Sequence, residues 1–377
     1  MRKISMVDLK TQYENIKPEL DKAISEVINS SMFINGPVVK EFQAALEKYL
    51  NIKHVIPCAN GTDALQISMM ALELKPGDEV IAPSFTFIAT AEVIALLGLT
   101  PVLVDVEPDT FNISPDAIAK AITPRTRAIV PVHLFGQTAD MDAIMAIANE
   151  YKLFVIEDAC QSIGSDYLNA AGEWKKSGTI GHLGCTSFFP SKNLGCFGDG
   201  GAIFTNDDAL AAKIRSVVNH GMTVRYYHDE IGVNSRLDSL QAAVLKVKLQ
   251  YLDKYAQARQ HLATTYTKAF INEPNLIVPV QYTRSTHVFH QYTIQAVGFD
   301  RTKLIEFLAS KDIPAMIYYP VPIHLQKAYL DPRYKPGDFP VTEQLSHTVF
   351  SLPMHTEMDN EQLNYIITSV FEFLKTV

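Results

Sequence analysis

The spacing of apolar residues in the first fifty positions predicts two amphipathic helices. Within residues 8–50 the apolar side chains recur at helical intervals and fall on one face of each stretch. Between the stretches, Asn35-Gly36-Pro37 combines residues that end helices, so we expect a break there. The apolar positions are Leu20, Ile24, Val27 and Ile28 in the first stretch, and Phe42, Leu46 and Leu50 in the second.

From residue 55 onward, short apolar runs alternate with amphipathic segments. This alternation predicts βαβ units and a largely parallel sheet, and the nearly pure apolar runs predict strands covered on both faces. The predicted strands are 80–83, 101–106, 128–132 and 154–156, and the predicted helices are 63–74, 88–98, 114–122 and 139–150.

The last third of the chain has a different pattern. Its predicted elements are a long helix over 235–271, a strand over 287–297, a helix over 301–313, an extended segment over 315–324 and an amphipathic helix over 359–375. We therefore expect an α/β large domain at 1–250, which includes the N-terminal helical segment, and a smaller α+β domain at 251–377.

Composition and charge narrow the class of protein. The 377 residues are 47% hydrophobic and 20% charged, which is typical of a globular chain, and the net charge of −8 without a basic run argues against nucleic-acid binding. No segment has the length and apolarity of a signal peptide or a membrane span, so we expect no membrane association. The four cysteines form no CxxC pair, which is typical of a reducing cytoplasm.

Two segments could serve an anionic, ring-containing ligand. Gly61-Thr62-Asp63 opens a predicted helix, where backbone N–H groups can hold an anion, although an ordinary helix cap explains these residues equally simply. The apolar run FVIED ends in Glu157-Asp158, where a carboxylate could keep a ring nitrogen protonated or could cap a neighbouring helix.

Two further segments carry cations. Lys192 lies in an aromatic, glycine-flanked stretch, where desolvation would lower its pKa and favour the free amine that forms Schiff bases. Ser187 lies five residues upstream and could bond a phosphate, whereas the glycine order excludes a P-loop. Arg236 precedes a helix and could bind a carboxylate or phosphate, or could simply lie in solvent.

In this order the blocks NGTDAL, EDACQS, SFFPSKNLG, GDGGAIFTND and NSRLDSLQAA resemble the DegT-type sugar aminotransferases over nearly the whole chain. The resemblance implies pyridoxal-phosphate (PLP) fold type I, with a mostly parallel central sheet between helices and a smaller C-terminal α+β domain. It also implies a homodimer with shared active sites.

The resemblance further implies roles for individual residues. Lys192 would be the catalytic Schiff-base lysine, and Asp158 would pair with the ring nitrogen. Asn234 would reach the phosphate of the second subunit, and no metal is implied. The implied cofactor-binding residues are Gly61, Thr62, Phe87, Asp158, Gln161, Ser187, Lys192 and Asn234, and the implied substrate residues are Arg236, Tyr318 and Tyr319.

The sequences of these blocks are most similar to those of enzymes that aminate UDP-2-acetamido-2-deoxy-3-oxo-glucuronate with L-glutamate. Such enzymes make amino sugars for polysaccharide and lipopolysaccharide. Two residues depart from the pattern: Cys160 replaces an alanine, for which we expect a packing change only, and Tyr318 replaces a histidine, which puts the substrate in doubt.

Four alternatives remain open. The substrate could be a 3- or 4-keto-6-deoxy dTDP- or GDP-sugar, or the protein could be a PLP-binding regulator without catalysis. A sugar dehydratase is disfavoured because such relatives have histidine in place of Lys192. A metalloenzyme is disfavoured because His287 and His290 would point to opposite faces of the predicted strand.

Overall fold

The computed structural model describes residues 2–377, which fold around a seven-stranded sheet. The strands of the chain are β1 (His54–Cys58), β2 (Glu79–Pro83), β3 (Thr100–Val104), β4 (Thr126–Ile129), β5 (Phe154–Asp158), β6 (Asp166–Leu168), β7 (Trp174–Lys176), β8 (Leu183–Ser187), β9 (Gly201–Thr205), β10 (Met222–Val224), β11 (Tyr227–His228), β12 (Leu276–Ile277), β13 (Tyr292–Ala296) and β14 (Val349–Leu352).

Residues 2–377 also form thirteen α-helices. They are α1 (Leu9–Asn15), α2 (Lys17–Ser30), α3 (Pro37–Leu50), α4 (Gly61–Ala71), α5 (Ala89–Leu96), α6 (Pro115–Ala121), α7 (Met141–Tyr151), α8 (Asp208–Val217), α9 (Ser239–Leu249), α10 (Leu252–Phe270), α11 (Arg301–Ser310), α12 (Pro340–Thr348) and α13 (Asn360–Leu374). None of these helices is both long and apolar enough to cross a lipid bilayer.

The large sheet has the order β1-β9-β8-β5-β4-β2-β3. Every strand runs in the same direction except β9, which pairs antiparallel with both β1 and β8. The predicted mostly parallel sheet is therefore confirmed. The parallel strands β2, β4, β5 and β8 end at one edge of the sheet, which is where open α/β sheets place their ligands.

Helices cover both faces of this sheet, as the apolar strand runs predict. One buried cluster joins the sheet to α4 and α8, a second joins it to α6 and α7, and a third packs α2, α3 and α9 against the β1–β9 side. Pro37 at the start of α3 confirms the predicted break between the first two amphipathic helices, because proline fits the first helical turn.

The predicted long helix over 235–271 is wrong. The chain stays extended until Asp238 and then forms α9 and α10, which are separated at residues 250–251. The two helices serve different cores. Helix α9 packs with α2 and α3, whereas the buried side of α10 packs against β13, β14 and α13.

The C-terminal region forms a second, three-stranded antiparallel sheet, β12-β13-β14. The predicted strand over 287–297 is only half right, because β13 begins at Tyr292. Phe289 has a φ of 45°, and its ring stacks on His287 with centroids 3.8 Å apart, so this stretch cannot extend the sheet. The argument that His287 and His290 face opposite sides of a strand therefore fails. The division of the chain at residue 250 stays a prediction.

Candidate active site

A cavity of about 700 Å³ opens at the edge of the sheet where the parallel strands end. Its walls come from the loop after β2, the loop after β4, the end of β5, the loop after β8 and the start of α4. Nine of the eleven predicted site residues line this cavity, namely Gly61, Thr62, Phe87, Asp158, Gln161, Ser187, Lys192, Tyr318 and Tyr319.

The remaining two predicted residues lie elsewhere in the same chain. Asn234 is exposed and pairs through a backbone bridge with Asn219, and Arg236 is half-buried. Neither is among the residues that line the cavity.

The start of α4 forms a compact anion cradle. Asn60 caps the helix, with its side-chain oxygen accepting a hydrogen bond from the Asp63 N–H at 2.8 Å, so the cap precedes the Gly61-Thr62-Asp63 segment in which the ordinary-cap alternative placed it. A Cβ atom at Gly61 would lie 2.8 Å from the Ser187 Cβ. Gly61, Thr62 and Ser187 all border the cavity, so the free N–H groups of the first helical turn and the Ser187 hydroxyl could bind one phosphate.

Asp158 is held rigidly at the end of β5 and is 6% exposed. One carboxylate oxygen accepts a hydrogen bond from the Thr90 hydroxyl at 3.0 Å, and the other accepts one from the Cys160 N–H at 3.2 Å. A carboxylate fixed in this way can hold a protonated ring nitrogen. Thr90 was not predicted, because it lies 68 residues away from Asp158 in the sequence.

A fully buried pair, His133 and Glu157, lies directly behind Asp158 and was also missed. Their side chains are 2.8 Å apart, and the Glu157 carboxylate accepts three backbone hydrogen bonds from residues 178–181. The backbone N–H of His133 donates to the Asp158 carbonyl at 3.0 Å. The signal in the sequence was a glutamate inside an apolar strand, since buried charges are paired and hydrogen-bonded.

Lys192 is half-buried at the cavity, and burial lowers the pKa of its ammonium group from the ordinary value of 10.5. Asp158 acts in the opposite direction, because negative charge nearby favours the protonated amine. Burial also raises the pKa of the Cys160 thiol well above 9.0, so this side chain stays protonated. A lowered pKa increases the fraction of free amine, which is the form that attacks carbonyl groups.

Two other polar groups line the cavity without a hydrogen-bond partner among residues 2–377. They are the Thr86 hydroxyl and the Nδ1 atom of His290, both deeply buried. A buried polar atom without a partner costs free energy that a ligand can recover. Neither residue was predicted to bind the cofactor.

The Gln161 amide links two walls of the cavity. Its oxygen accepts a hydrogen bond from the Phe135 N–H at 2.8 Å, and its nitrogen donates to the Tyr319 hydroxyl at 3.2 Å. The Phe87 side chain, which is 54% exposed, has its ring centroid 6.2 Å from that of Tyr319.

Within residues 2–377, no three histidine, cysteine, aspartate or glutamate side chains lie close enough together to hold a metal ion.

These residues fit pyridoxal phosphate. The cradle of Gly61, Thr62 and Ser187 suits its phosphate, Asp158 suits its ring nitrogen, Lys192 suits its aldehyde, and the closeness of Gly61 to Ser187 leaves no room for a larger residue.

Comparison with known proteins agrees with this chemistry. The chain is 46% identical over 374 residues to the pleiotropic regulatory protein of Geobacillus stearothermophilus, covering 99% of both chains. It is 44% identical over 367 residues to the UDP-2-acetamido-2-deoxy-3-oxo-D-glucuronate aminotransferase of Pseudomonas aeruginosa, covering 97% of this chain and 99% of that one.

Solved structures share the fold over the full length. A DegT DnrJ EryC1 StrS aminotransferase from Brucella abortus superposes with a TM-score of 0.93 at 43% identity, covering 98% of this chain and 99% of that one. NtdA from Bacillus subtilis, solved with bound cofactor PMP, superposes with a TM-score of 0.90 at 33% identity, covering 100% of this chain and 86% of that one.

The family model described as the DegT/DnrJ/EryC1/StrS aminotransferase family matches residues 14–371. The chain therefore belongs to this family of PLP-dependent sugar aminotransferases.

Proposed function

We propose that this sugar aminotransferase moves the amino group of L-glutamate onto UDP-2-acetamido-2-deoxy-3-oxo-glucuronate. The similarity to the Pseudomonas aeruginosa enzyme supports this acceptor, and a 3- or 4-keto-6-deoxy dTDP- or GDP-sugar is the alternative. The observation that carries the proposal is that Lys192, Asp158 and the α4 cradle face one cavity.

Each residue has a physical task in the reaction. When bound, PLP supplies the electron sink that makes the amine-bearing carbon acidic. The Lys192 Nζ would take the proton from that carbon of glutamate and, in the second half of the reaction, would give a proton to the sugar carbon that receives the amine. Taking a proton requires the free amine, which burial favours. Asp158, fixed by Thr90, would hold the ring nitrogen protonated, while Gly61, Thr62 and Ser187 would anchor the phosphate.

The aromatic wall would orient the substrates. Phe87 would stack on the ring of the cofactor, and Gln161 would contact its hydroxyl group. Tyr318 and Tyr319 border the same cavity, with Tyr319 next to Gln161 and Phe87, and they would contact the substrates. Arg236 would bind a carboxylate or phosphate of the substrate.

We also propose a homodimer with shared active sites in the cytoplasm, which supplies amino sugars for polysaccharide or lipopolysaccharide. The exposed position of Asn234, outside the cavity of its own chain, supports its predicted reach to the phosphate of a second subunit.

A regulatory role is the second candidate, because the Geobacillus relative is named a regulatory protein. Nothing in such a role requires a buried lysine amine opposite a fixed carboxylate. The set of residues at the cavity therefore favours catalysis. The absorbance titration described next distinguishes an aminotransferase from a regulator without catalysis.

The test is an absorbance titration of the PLP-loaded protein with L-glutamate and then with the UDP-keto-sugar. The visible band of lysine-linked PLP should disappear with glutamate and return with the sugar, and Lys192→Ala should remove the band altogether. Lys120→Ala, at an exposed position, is the control that should behave as wild type. A Lys192→Ala protein with a normal band contradicts the assignment of Lys192, and a wild-type band that ignores glutamate favours regulation.

A further inference from the structure

A Ser-His-Glu network with a buried serine and histidine and a partly exposed glutamate lies beside the cavity without lining it. The Ser84 hydroxyl is 2.8 Å from the His324 Nδ1, and the His324 Nε2 is 3.1 Å from the Glu343 carboxylate. Ser84 is 0% exposed and His324 is 1% exposed. The Glu343 carboxylate is held in turn by the backbone N–H of Gly337, at 2.8 and 3.0 Å from its two oxygens.

These three residue types also form hydrolytic triads, but this network is not suited to hydrolysis. An ionised carboxylate only accepts hydrogen bonds, so the His324 Nε2 carries the proton, the neutral Nδ1 accepts, and the Ser84 hydroxyl donates. A nucleophilic serine needs access to a substrate, whereas the Ser84 side chain has no exposed surface and does not border the cavity.

The network instead joins two walls of the active site that are 240 residues apart in the sequence. Ser84 directly follows β2 and precedes the cavity residues Thr86 and Phe87. His324 lies in a short 3-10 helix just after the cavity residues Tyr318 and Tyr319.

A second set of contacts shows that the two walls meet. The Tyr319 ring lies 6.2 Å from the Phe85 ring and 6.2 Å from the Phe87 ring. The Ile323 N–H donates to the Ser84 carbonyl at 3.0 Å, so one backbone bond joins the walls independently of the side chains. Loss of the side-chain bonds should therefore loosen the wall without detaching it.

We propose that Ser84, His324 and Glu343 are positioning residues that fix the Tyr318–Tyr319 wall against Phe87 and thereby set the affinity for the substrates. This inference rests on the proposed function, because it assigns the two tyrosines to substrate binding. The hydrogen bond between Ser84 and His324 carries the effect, and Glu343 orients the imidazole so that Nδ1 faces Ser84.

The chain allows a sharp test with isosteric variants. An asparagine at position 324 can keep a hydrogen bond at the place of Nδ1, and a glutamine can keep one at the place of Nε2. His324→Gln and Ser84→Ala should each raise the half-saturating glutamate concentration at least about fivefold, because each removes the bond between the walls. His324→Asn should stay within about twofold of wild type.

The measurement is the glutamate-dependent loss of the visible PLP band in each holoprotein, followed by stopped flow across glutamate concentrations. The limiting rate and the intensity of the band should stay within about twofold of wild type in every variant, because none of the three residues touches the cofactor. His347→Asn, an exposed histidine on the same helix as Glu343, is the matched control. The double variant Ser84→Ala/His324→Gln should be no worse than the poorer single variant, since both remove one bond.

The outcomes separate the inference from the function on which it rests. A wild-type holoprotein that does not react with glutamate contradicts the proposed function. A reactive wild type with equal half-saturating concentrations in Ser84→Ala, His324→Gln and His347→Asn overturns the positioning role. Equal losses in His324→Asn and His324→Gln also overturn it, because a general packing defect would affect both.

Discussion

Adding one methyl group at Gly61 tests how closely the phosphate cradle is packed. In Gly61→Ala the new Cβ would lie 2.8 Å from the Ser187 Cβ and 2.9 Å from the Cys160 Sγ, both too close for carbon and sulfur atoms. The start of α4 would have to move away from Ser187. The helical backbone at residue 61 accepts alanine, so the effect comes from the contact and not from a forbidden φ.

The size of the effect follows from the cost of overpacking. An extra methyl group in a packed site costs about 1–3 kcal/mol. In the protein without PLP, α4 can move away from Ser187 and relieve the contact. A bound phosphate would require the original distance between Gly61 and Ser187, so the cost would return on binding. If the whole cost falls on binding, the affinity for PLP should decrease by about 5- to 150-fold.

The assay is an equilibrium titration of the apoprotein with PLP, read from the visible band. Cys160→Ala in the Gly61→Ala background removes the contact with sulfur but leaves the contact with Ser187, so it should recover only part of the affinity. Cys160→Ala alone is the control and should bind like wild type. Wild-type affinity in Gly61→Ala would refute the close approach of α4 to Ser187, and a loss of stability without loss of affinity would refute the cradle.

Two further predictions concern the buried charges and histidines. Glu157→Gln should lower the free energy of unfolding by at least about 2 kcal/mol in urea titrations, because the carboxylate accepts four hydrogen bonds, whereas the exposed Glu150→Gln should not. An unchanged midpoint would contradict the buried pair. Burial lowers the pKa of His287 to about 3 and that of His355 to about 4, below the ordinary 6.5, so the unfolded chain binds protons first as the pH falls. Between pH 6.5 and these values each histidine should lower the free energy of unfolding by up to about 1.4 kcal/mol per pH unit. His355→Asn should make that slope shallower and the exposed His261→Asn should not; equal slopes would contradict the prediction.

The part of the fold that could be predicted is the part that local pattern determines. Strands buried on both faces of a parallel sheet are apolar throughout, and the helices between them are amphipathic, so β2 to β5 and their helices are visible in the sequence. The break between α9 and α10 contains neither glycine nor proline, since residues 250–251 are glutamine and tyrosine. The break depends on the fact that α9 and α10 pack into two separate hydrophobic cores, which the local sequence pattern does not indicate.

The same division holds for the site. Asp158 and Lys192 could be predicted because a strand end and a desolvated lysine each have a chemical signature. Thr90, His133 and His324 could not, since each acts through a partner that is distant in the sequence. Their side chains are ordinary in their local context, and only the folded sheet brings them to the carboxylates and hydroxyls that they contact.

The cofactor side and the substrate side of the cavity differ in how they are built, and this bears on the choice of sugar. The cofactor residues stand on strand ends and a helix start that the main sheet holds fixed. The Tyr318–Tyr319 wall comes from an irregular segment, which is joined to the loops of the main sheet by the Ser84–His324 contact, the Ile323–Ser84 backbone bond and the Gln161–Tyr319 hydrogen bond. Substitutions in that segment can change the shape of the sugar pocket while the cofactor site stays intact. Similarity in the cofactor motifs therefore says little about the sugar, and we expect Tyr318, one of the two residues that depart from the family pattern, to be the position where a change of sugar is decided.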